Sequence, residues 1–367
     1  MNKQPTILGG NTEHIWDHLI QEIEVDATWR DHPIYKSKEH IEYRDTWEKA
    51  RKGEELTDFP LNIEIEPTYY CNLQCPYCPR YVHFGERKIK GSHMSQELFT
   101  KIIEECKENK MPAMQYDHEA EPLMHPNFFN MLKQASEAGI FDEWLHTNGQ
   151  MLNEKNSTKL IDNGLKKINI SVDAFKEETY EKLRVGGKLK KLIENIHTFL
   201  KVKKEKKADY LRVRISMVEQ KENFSEKRDF YEYWSKQKGV NTITFQKCED
   251  YTRFEKVDPD KKLSEKELDE KYKKVKPFFC SQPWQTPAIE NNGKVAPCLK
   301  PIREHNKYFY MGDLSKGQTI KEIWNGSKFK KLRELHKTNQ WYKNDMCRVC
   351  VNGMRTAEHE DFEVKNY

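Results

Sequence analysis

The chain has 367 residues, 63 Lys and Arg against 59 Asp and Glu, a formal charge of +4 and nine cysteines. At roughly 100–200 residues per domain, that length predicts two or three domains. The near balance of charge lacks the one-sided basic face of a duplex nucleic-acid binder. Mean hydropathy is −0.96, and no run approaches the roughly 18 apolar residues of a membrane helix. Met1–Thr12 is polar and lacks a signal-peptide core. The expectation is a soluble cytoplasmic protein with no nucleic-acid or membrane partner. Its thiols then serve metal, redox or packing roles rather than disulfides.

Residues 1–60 read as a helical extension, polar and charge-mixed, with Trp16, Trp29 and Trp47 spaced to pack on something. From Leu61 onward, short β-rich runs alternate with helical periodicity. Strands are predicted at Leu61–Glu66, Met114–His118, Glu143–Thr147, Ile168–Asp173, Leu211–Val218 and Thr242–Lys247. Helices are predicted between them at Met94–Asn109, Asn127–Ala138, Asn156–Asn163, Leu189–Leu200 and Ser225–Lys236. Phe99, Ile102, Ile103 and Cys106 share one helical face, and Gly164 is a stop signal. The alternation implies parallel strands joined by right-handed crossovers. Six strands are too few for a closed eight-strand barrel, so residues 61–255 read as an α/β fold, a partial (β/α)6 barrel. The Lys/Glu-rich stretch within 256–275 reads as a linker or exposed helix. Residues 276–356 are rich in turns and carry four cysteines, with a helix near Phe329–Lys337, and read as a small domain held by metal. Residues 357–367 are a tail.

Cys71-Asn-Leu-Gln-Cys75-Pro-Tyr-Cys78 follows the first barrel strand directly. Three thiolates on one loop can ligate three irons of a 4Fe–4S cluster and leave the fourth open. Such a loop at the C-terminal end of a strand is where α/β-barrel chemistry sits. A structural zinc site is the competing reading, with His83 as the nearby fourth ligand.

Cys-x3-Cys-x2-Cys after strand one, with Tyr77 before the last cysteine, resembles the signature of the radical S-adenosylmethionine (SAM) superfamily. The resemblance implies that the open iron chelates the SAM amino and carboxylate groups. Reductive cleavage then yields a 5′-deoxyadenosyl radical that takes hydrogen from the substrate. Ala120-Glu121-Pro122 resembles the family's Gly-Gly-Glu-Pro turn, whose glutamate and backbone hold the SAM amino group. Ala120 stands where that turn has glycine, and alanine disfavours φ > 0. Thr147-Asn148-Gly149 resembles a segment near the methionine moiety, and Ser171-Val172-Asp173 one near the ribose. Arg184 and Arg214 are further SAM-contact candidates, and Tyr77 offers backbone contact to adenine.

Cys280, Cys298, Cys347 and Cys350 form the second cluster of ligands. Asn292–Cys298 reads as a hairpin turn and strand delivering a thiol. Four thiolates suit either closed zinc or a 4Fe–4S cluster. Cys280-Ser-Gln-Pro-Trp284, Gly312-Asp-Leu314, Ile323-Trp324-Asn-Gly326 and Cys347-x2-Cys350 look like the "twitch" form of the SPASM domain, which implies one auxiliary 4Fe–4S cluster. With all its irons ligated, that cluster serves as an electron acceptor. The resemblance therefore points to a radical SAM enzyme with two 4Fe–4S clusters and SAM, fed by a flavodoxin- or ferredoxin-type donor. It further suggests oxidation of a secondary alcohol on a small carbohydrate-like substrate. Asp117, His118, Glu119 and His146 are candidate pocket residues, and Tyr251 and Arg253 candidate substrate contacts. Cys106 reads as a core thiol. Cys248, past the sixth strand, is either a packing cysteine or a hydrogen donor. The donor role implies epimerisation instead, and modification of a ribosomal peptide is a further rival.

Overall fold

The computed structural model describes residues 6–8, 20–84, 92–117, 119–249, 263–299 and 309–359. His118, Tyr251, Arg253 and the His83 side chain lie outside the described residues. The strands are β1 (Thr6–Leu8), β2 (Ile20–Glu24), β3 (Asn62–Ile65), β4 (Ala113–Tyr116), β5 (Asp142–Thr147), β6 (Lys167–Ser171), β7 (Arg212–Glu219), β8 (Thr242–Lys247), β9 (Ala288–Ile289), β10 (Lys294–Ala296) and β11 (Gly312–Asp313). They form one sheet in the order β1-β2-β8-β7-β6-β5-β4-β3-β9-β10-β11. Strands β3 to β8 are parallel to one another and match the six strands expected from sequence.

Alternation along these strands decides the layers. Ile63, Ile65, Met114, Tyr116, Leu145, Ile168, Ile170, Val213, Ile215, Met217, Ile243 and Phe245 are buried on the face covered by helices. The crossover helices contribute Phe99, Ile102, Ile103 and Cys106, then Phe128, Met131 and Leu132, then Leu192, Ile196 and Phe199 to the same core. The opposite face is polar: Glu64, Gln115, Asp117, His146, Asn169, Arg214, Ser216 and Thr244 occupy the alternate positions. Gln115 Nε2 lies 3.4 Å from both Glu64 Oε2 and Asp117 Oδ2 on that face. Gly164 has φ +104 where the Glu154–Asp162 helix ends, as its stop role requires.

Three segments differ from the sequence reading. The stretch taken as a helical extension is helical at Lys38–Arg51, but before that it supplies strands. β2 runs antiparallel to β8 in the register Ile23↔Ile243. Its apolar Ile20 and Ile23 are interrupted by Gln21, Glu22 and Glu24, so the strand has little local signature. The Lys38–Arg51 helix packs Tyr43, Trp47 and Ala50 with Leu61, Phe141 and Trp284. The stretch read as a linker or exposed helix is a helix, Glu265–Tyr272, begun by a Ser264–Glu267 capping box, and differs only in being packed. Its Leu268 and Tyr272 pack on Phe278, Trp341 and Val351, so it joins the C-terminal unit. That unit is not hung on a tether: β9 pairs parallel with β3, in the register Ile65↔Ile289. The β9–β10 hairpin turns at Gly293, φ +88, as the Asn-Gly sequence anticipates. Cys347 and Cys350 lie on a helix, Asp345–His359. Among the described residues no helix is long and apolar enough to cross a membrane.

Candidate active site

The loop after β3 carries Cys71, Cys75 and Cys78 to a cavity of about 440 Å³ at the C-terminal ends of the parallel strands. All three thiols line it, together with Tyr77, Ala120, Glu121, Asn148, Ser171, Arg184 and Cys248. Neighbouring loops hold the cysteine loop in place. Gln74 N–H donates to Val185 O at 2.9 Å, and Glu121 N–H to Tyr70 O at 3.0 Å. Asn148 Nδ2 donates to Asn72 Oδ1 at 2.8 Å and lies 4.0 Å from Cys71 Sγ. Arg184 Nη1 lies 3.7 Å from Cys75 Sγ.

Burial pushes the Cys71 thiol up to about 11 and the Cys78 thiol up to about 12. Neighbouring thiols add to both shifts, in keeping with three thiols that line one cavity. Buried, mutually repelling thiolates are poor company for one another without a cation, and a thiolate-ligated iron cluster supplies the missing positive charge. The donor set therefore fits the group.

Glu121 is the buried carboxylate of the loop after β4. Its Oε1 accepts Thr147 Oγ1–H at 2.7 Å and Leu123 N–H at 3.3 Å, and its Oε2 accepts Asn148 N–H at 2.7 Å. Burial raises its pKa to about 7 against the pull of these donors. A cationic ligand beside it would restore the ionised form. Ala120 is not among the described residues with positive φ, so the turn is made without the glycine conformation.

Asp173 and Arg214 sit elsewhere than the resemblance placed them. Asp173 follows β6, with φ +62, and is wholly buried. Its Oδ1 accepts Val218 N–H at 2.8 Å, and its Oδ2 accepts Arg184 Nε–H at 2.6 Å and the Tyr77 hydroxyl. The carboxylate thus braces the cysteine loop and Arg184 instead of lining the cavity. Arg214 does not line the cavity either: Nη2 donates to Glu22 Oε2 at 3.2 Å and the guanidinium lies over Trp144. The reason is β2, which brings Glu22 to the inner face.

Asp117 and His146 are joined through Nδ1 at 2.8 Å, and both line the cavity. Glu119 accepts the Tyr69 hydroxyl at 2.9 Å. Cys248 follows β8 at the cavity wall, with its N–H on Glu219 O at 3.2 Å. Cys106 is fully buried, its Sγ 3.8 Å from Met111 Sδ, as a core thiol should be.

A second convergence lies in the C-terminal unit. Cys298, Cys347 and Cys350 pack with Phe309, Leu332 and Met346, and Cys280 lies against the adjoining cluster around Trp341. Burial lifts the Cys347 thiol well above its ordinary range, with Cys280, Cys298 and Cys350 each contributing repulsion. Among the described residues no three His, Cys, Asp or Glu side chains close on a single metal ion. Four cysteines, one thiolate per iron, suit a cubane. Sequence reasoning missed His336, whose ring lies between Cys280 and Cys347. The buried positions Phe329, Leu332, Arg333 and His336 recur at helical spacing, and that pattern was the available signal. Asn72, inside the cysteine motif, was missed as well.

Residues 65–232 match the model of the radical SAM superfamily, and residues 280–351 that of the SPASM iron–sulfur cluster-binding domain. A probable GTP 3′,8-cyclase of Methanococcus maripaludis is 32% identical over 152 residues, 41% of this chain and 48% of that protein. The PqqA peptide cyclase of Bradyrhizobium diazoefficiens is 28% identical over 140 residues, 38% of this chain and 35% of that protein. The chain thus spans half or less of the length of these curated relatives. Among solved structures, BtrN in complex with AdoMet and 2-DOIA is similar with a TM-score of 0.51 and 18% identity, over 78% of this chain and 91% of that one. Streptococcus suis SuiB bound to precursor peptide SuiA has a TM-score of 0.54 and 16% identity, over 90% of this chain and 79% of that one. These likenesses are of fold. The matched domains, with their two sets of thiols, mean that the chain belongs to the radical SAM superfamily and carries a C-terminal SPASM domain, its cofactors being SAM, a SAM-binding 4Fe–4S cluster and an auxiliary cluster.

Proposed function

We propose that the protein oxidises a secondary alcohol on a small, polar, carbohydrate-like substrate. When bound, the cofactors supply a 5′-deoxyadenosyl radical for hydrogen abstraction and, at the auxiliary cluster, an acceptor for the second electron. Cys71, Cys75 and Cys78 hold the first cluster, and Cys280, Cys298, Cys347 and Cys350 the second. Glu121 and Asn148 hold the SAM amino acid moiety, and Ser171 lies toward its nucleoside. Tyr77 shields this side of the site while its hydroxyl braces Asp173. A flavodoxin- or ferredoxin-type protein delivers the first electron.

The observation that carries this reading is the polar inner wall below the cysteine loop, where Asp117, His146, Ser171 and Gln246 line the cavity. Such a wall matches a ligand rich in hydroxyl or amino groups and offers little to an apolar side chain. The relatives' names cover a nucleotide and a peptide, and the BtrN complex holds 2-DOIA, so the substrate class rests on the wall rather than on them.

The cavity position of Cys248 favours a second reading, epimerisation. There the thiol hydrogen at Sγ returns to the substrate radical from the opposite face. One experiment separates the readings. Reduced, cluster-loaded protein is incubated with SAM and a panel of cyclitols, aminocyclitols and sugars deuterated at the carbinol carbon. Oxidation yields deuterated 5′-deoxyadenosine in equal amount to a carbonyl product. An inverted alcohol carrying solvent hydrogen, lost in Cys248→Ala while SAM cleavage continues, assigns epimerisation instead. Turnover confined to peptides refutes both.

A further inference from the structure

We propose that His336 donates a hydrogen bond to the Cys347 thiolate and thereby raises the reduction potential of the auxiliary cluster. The inference rests on the four C-terminal thiols holding that cluster; it does not depend on which substrate is oxidised.

His336 lies on the buried face of the Ser327–Lys337 helix and is 3% exposed. Its two ring nitrogens face two different ligand residues. Nδ1 lies 3.4 Å from the backbone N–H of Cys280, and Nε2 lies 3.5 Å from Cys347 Sγ. A backbone N–H only donates, so Nδ1 is the acceptor. A neutral imidazole has one proton, and the network therefore assigns it to Nε2, directed at sulfur. Phe278 packs edge-on to the ring, at 6.2 Å between centroids. On the same helix, Arg333 donates Nε–H to Pro283 O and Nη1–H to Trp324 O, both at 2.8 Å, while its Nη2 is buried without a hydrogen-bond partner among the described residues.

The consequence is electrostatic. Reduction adds one negative charge, shared between iron and sulfur. A donor fixed on a ligand sulfur stabilises the reduced form more than the oxidised one. In a buried site the effect is weakly screened. The geometry makes His336 a positioning residue: it is not among the residues lining the cavity beside Cys71, Cys75 and Cys78, and it acts through Cys347 to make the cluster a better electron acceptor.

Two substitutions divide the ring's functions. His336→Asn keeps an acceptor near the Nδ1 position for Cys280 N–H and loses the donor toward Cys347. His336→Gln can place an N–H near the Nε2 position. Iron content and an EPR-monitored redox titration are measured on the cluster-loaded protein. Added SAM alters the signal of the first cluster so that the auxiliary one is read separately. In the Asn variant the auxiliary reduction equilibrium is expected to shift about tenfold toward the oxidised state, or about 59 mV more negative for one electron. The Gln variant should stay near the parent, and both should retain the parent iron count. An unmoved potential in the Asn variant overturns the proposal. Loss of auxiliary iron from either variant also overturns it, by giving the ring a role in holding the cluster. A second measurement needs no substitution: pulsed EPR of protein with ¹⁵N-labelled histidine. Weak coupling of one imidazole nitrogen to the reduced auxiliary cluster is expected. Strong coupling, the mark of a direct iron–nitrogen bond, or no coupling refutes the assignment.

Discussion

Replacing Asp173 by Asn tests whether a single buried carboxylate organises the first cysteine loop. The side chain is fully buried, and its two oxygens serve Val218 N–H, Arg184 and the Tyr77 hydroxyl. Asn is isosteric and tolerates the left-handed backbone found at this position, φ +62, so the change isolates the charge. What remains is a guanidinium, 12% exposed, with no counter-charge at Asp173. Breaking a buried pair from one side costs about 3–5 kcal/mol. A Coulomb estimate at an effective dielectric of about 20 gives about 4 kcal/mol for unit charges 4 Å apart, which agrees. The assay is anaerobic urea denaturation of the cluster-loaded protein, compared between curves of equal slope. Asp173→Asn should lower stability by about 3 kcal/mol or more, and iron content should fall because Tyr77, set between Cys75 and Cys78, loses its brace. Arg184→Met in the same background should recover part of the loss, since it removes the orphaned charge. A cost below about 1 kcal/mol for Asp173→Asn, or strictly additive single changes, would refute the assignment of Asp173 as the brace.

Gly149→Ala should cost about 2–4 kcal/mol, from left-handed strain at φ +72 and from a Cβ set 2.4 Å from Leu192 Cδ1 and 2.9 Å from Ile170 Cγ2. A denaturation midpoint that does not move would contradict this. The Glu121 carboxyl, raised from 4.5 to about 7 by burial, makes the SAM-free protein lose stability as pH rises. The unfolded chain releases this proton first, near 4.5, so its contribution, about 3 kcal/mol, is present at low pH and gone above about 7. Glu121→Gln should flatten that slope, and identical pH profiles for the two proteins would sink the idea. SAM affinity, with the iron-bound amino group donating N–H to the ionised carboxylate, should weaken up to about tenfold per pH unit below about 7, as equilibrium dialysis would show. Cys71→Ala and Cys347→Ala should each remove about half of the bound iron; loss of all iron from either would mean that the two centres do not assemble independently.

Much of this architecture is written locally. Apolar residues alternating with polar ones along Ile168–Asp173, or recurring at three and four along Leu189–Leu200, specify strand and helix within a few residues. Gly293 needs only its own turn, and the spacing of Cys71, Cys75 and Cys78 is itself the coordination pattern. Such features are settled by sterics, hydrophobic periodicity and thiolate chemistry over short stretches of chain. The six-strand partial barrel and both sets of thiols were therefore legible in the sequence.

Other features depend on partners far away in the chain. Arg214 looked like a ligand for SAM, but β2 carries Glu22 to it from 192 residues earlier. Asp173 looked like a ribose contact, yet Tyr77, Arg184 and Val218 together consume its carboxylate. Strand β9 is two residues long and carries no pattern of its own; only its pairing with β3 makes the C-terminal domain an extension of the barrel sheet. His336 acquires meaning because one helix carries it between thiols delivered by two other segments. A side chain's type and local spacing determine what chemistry it can do. Which partner saturates its hydrogen bonds and charge is a property of packing, and here only the tertiary structure decided that.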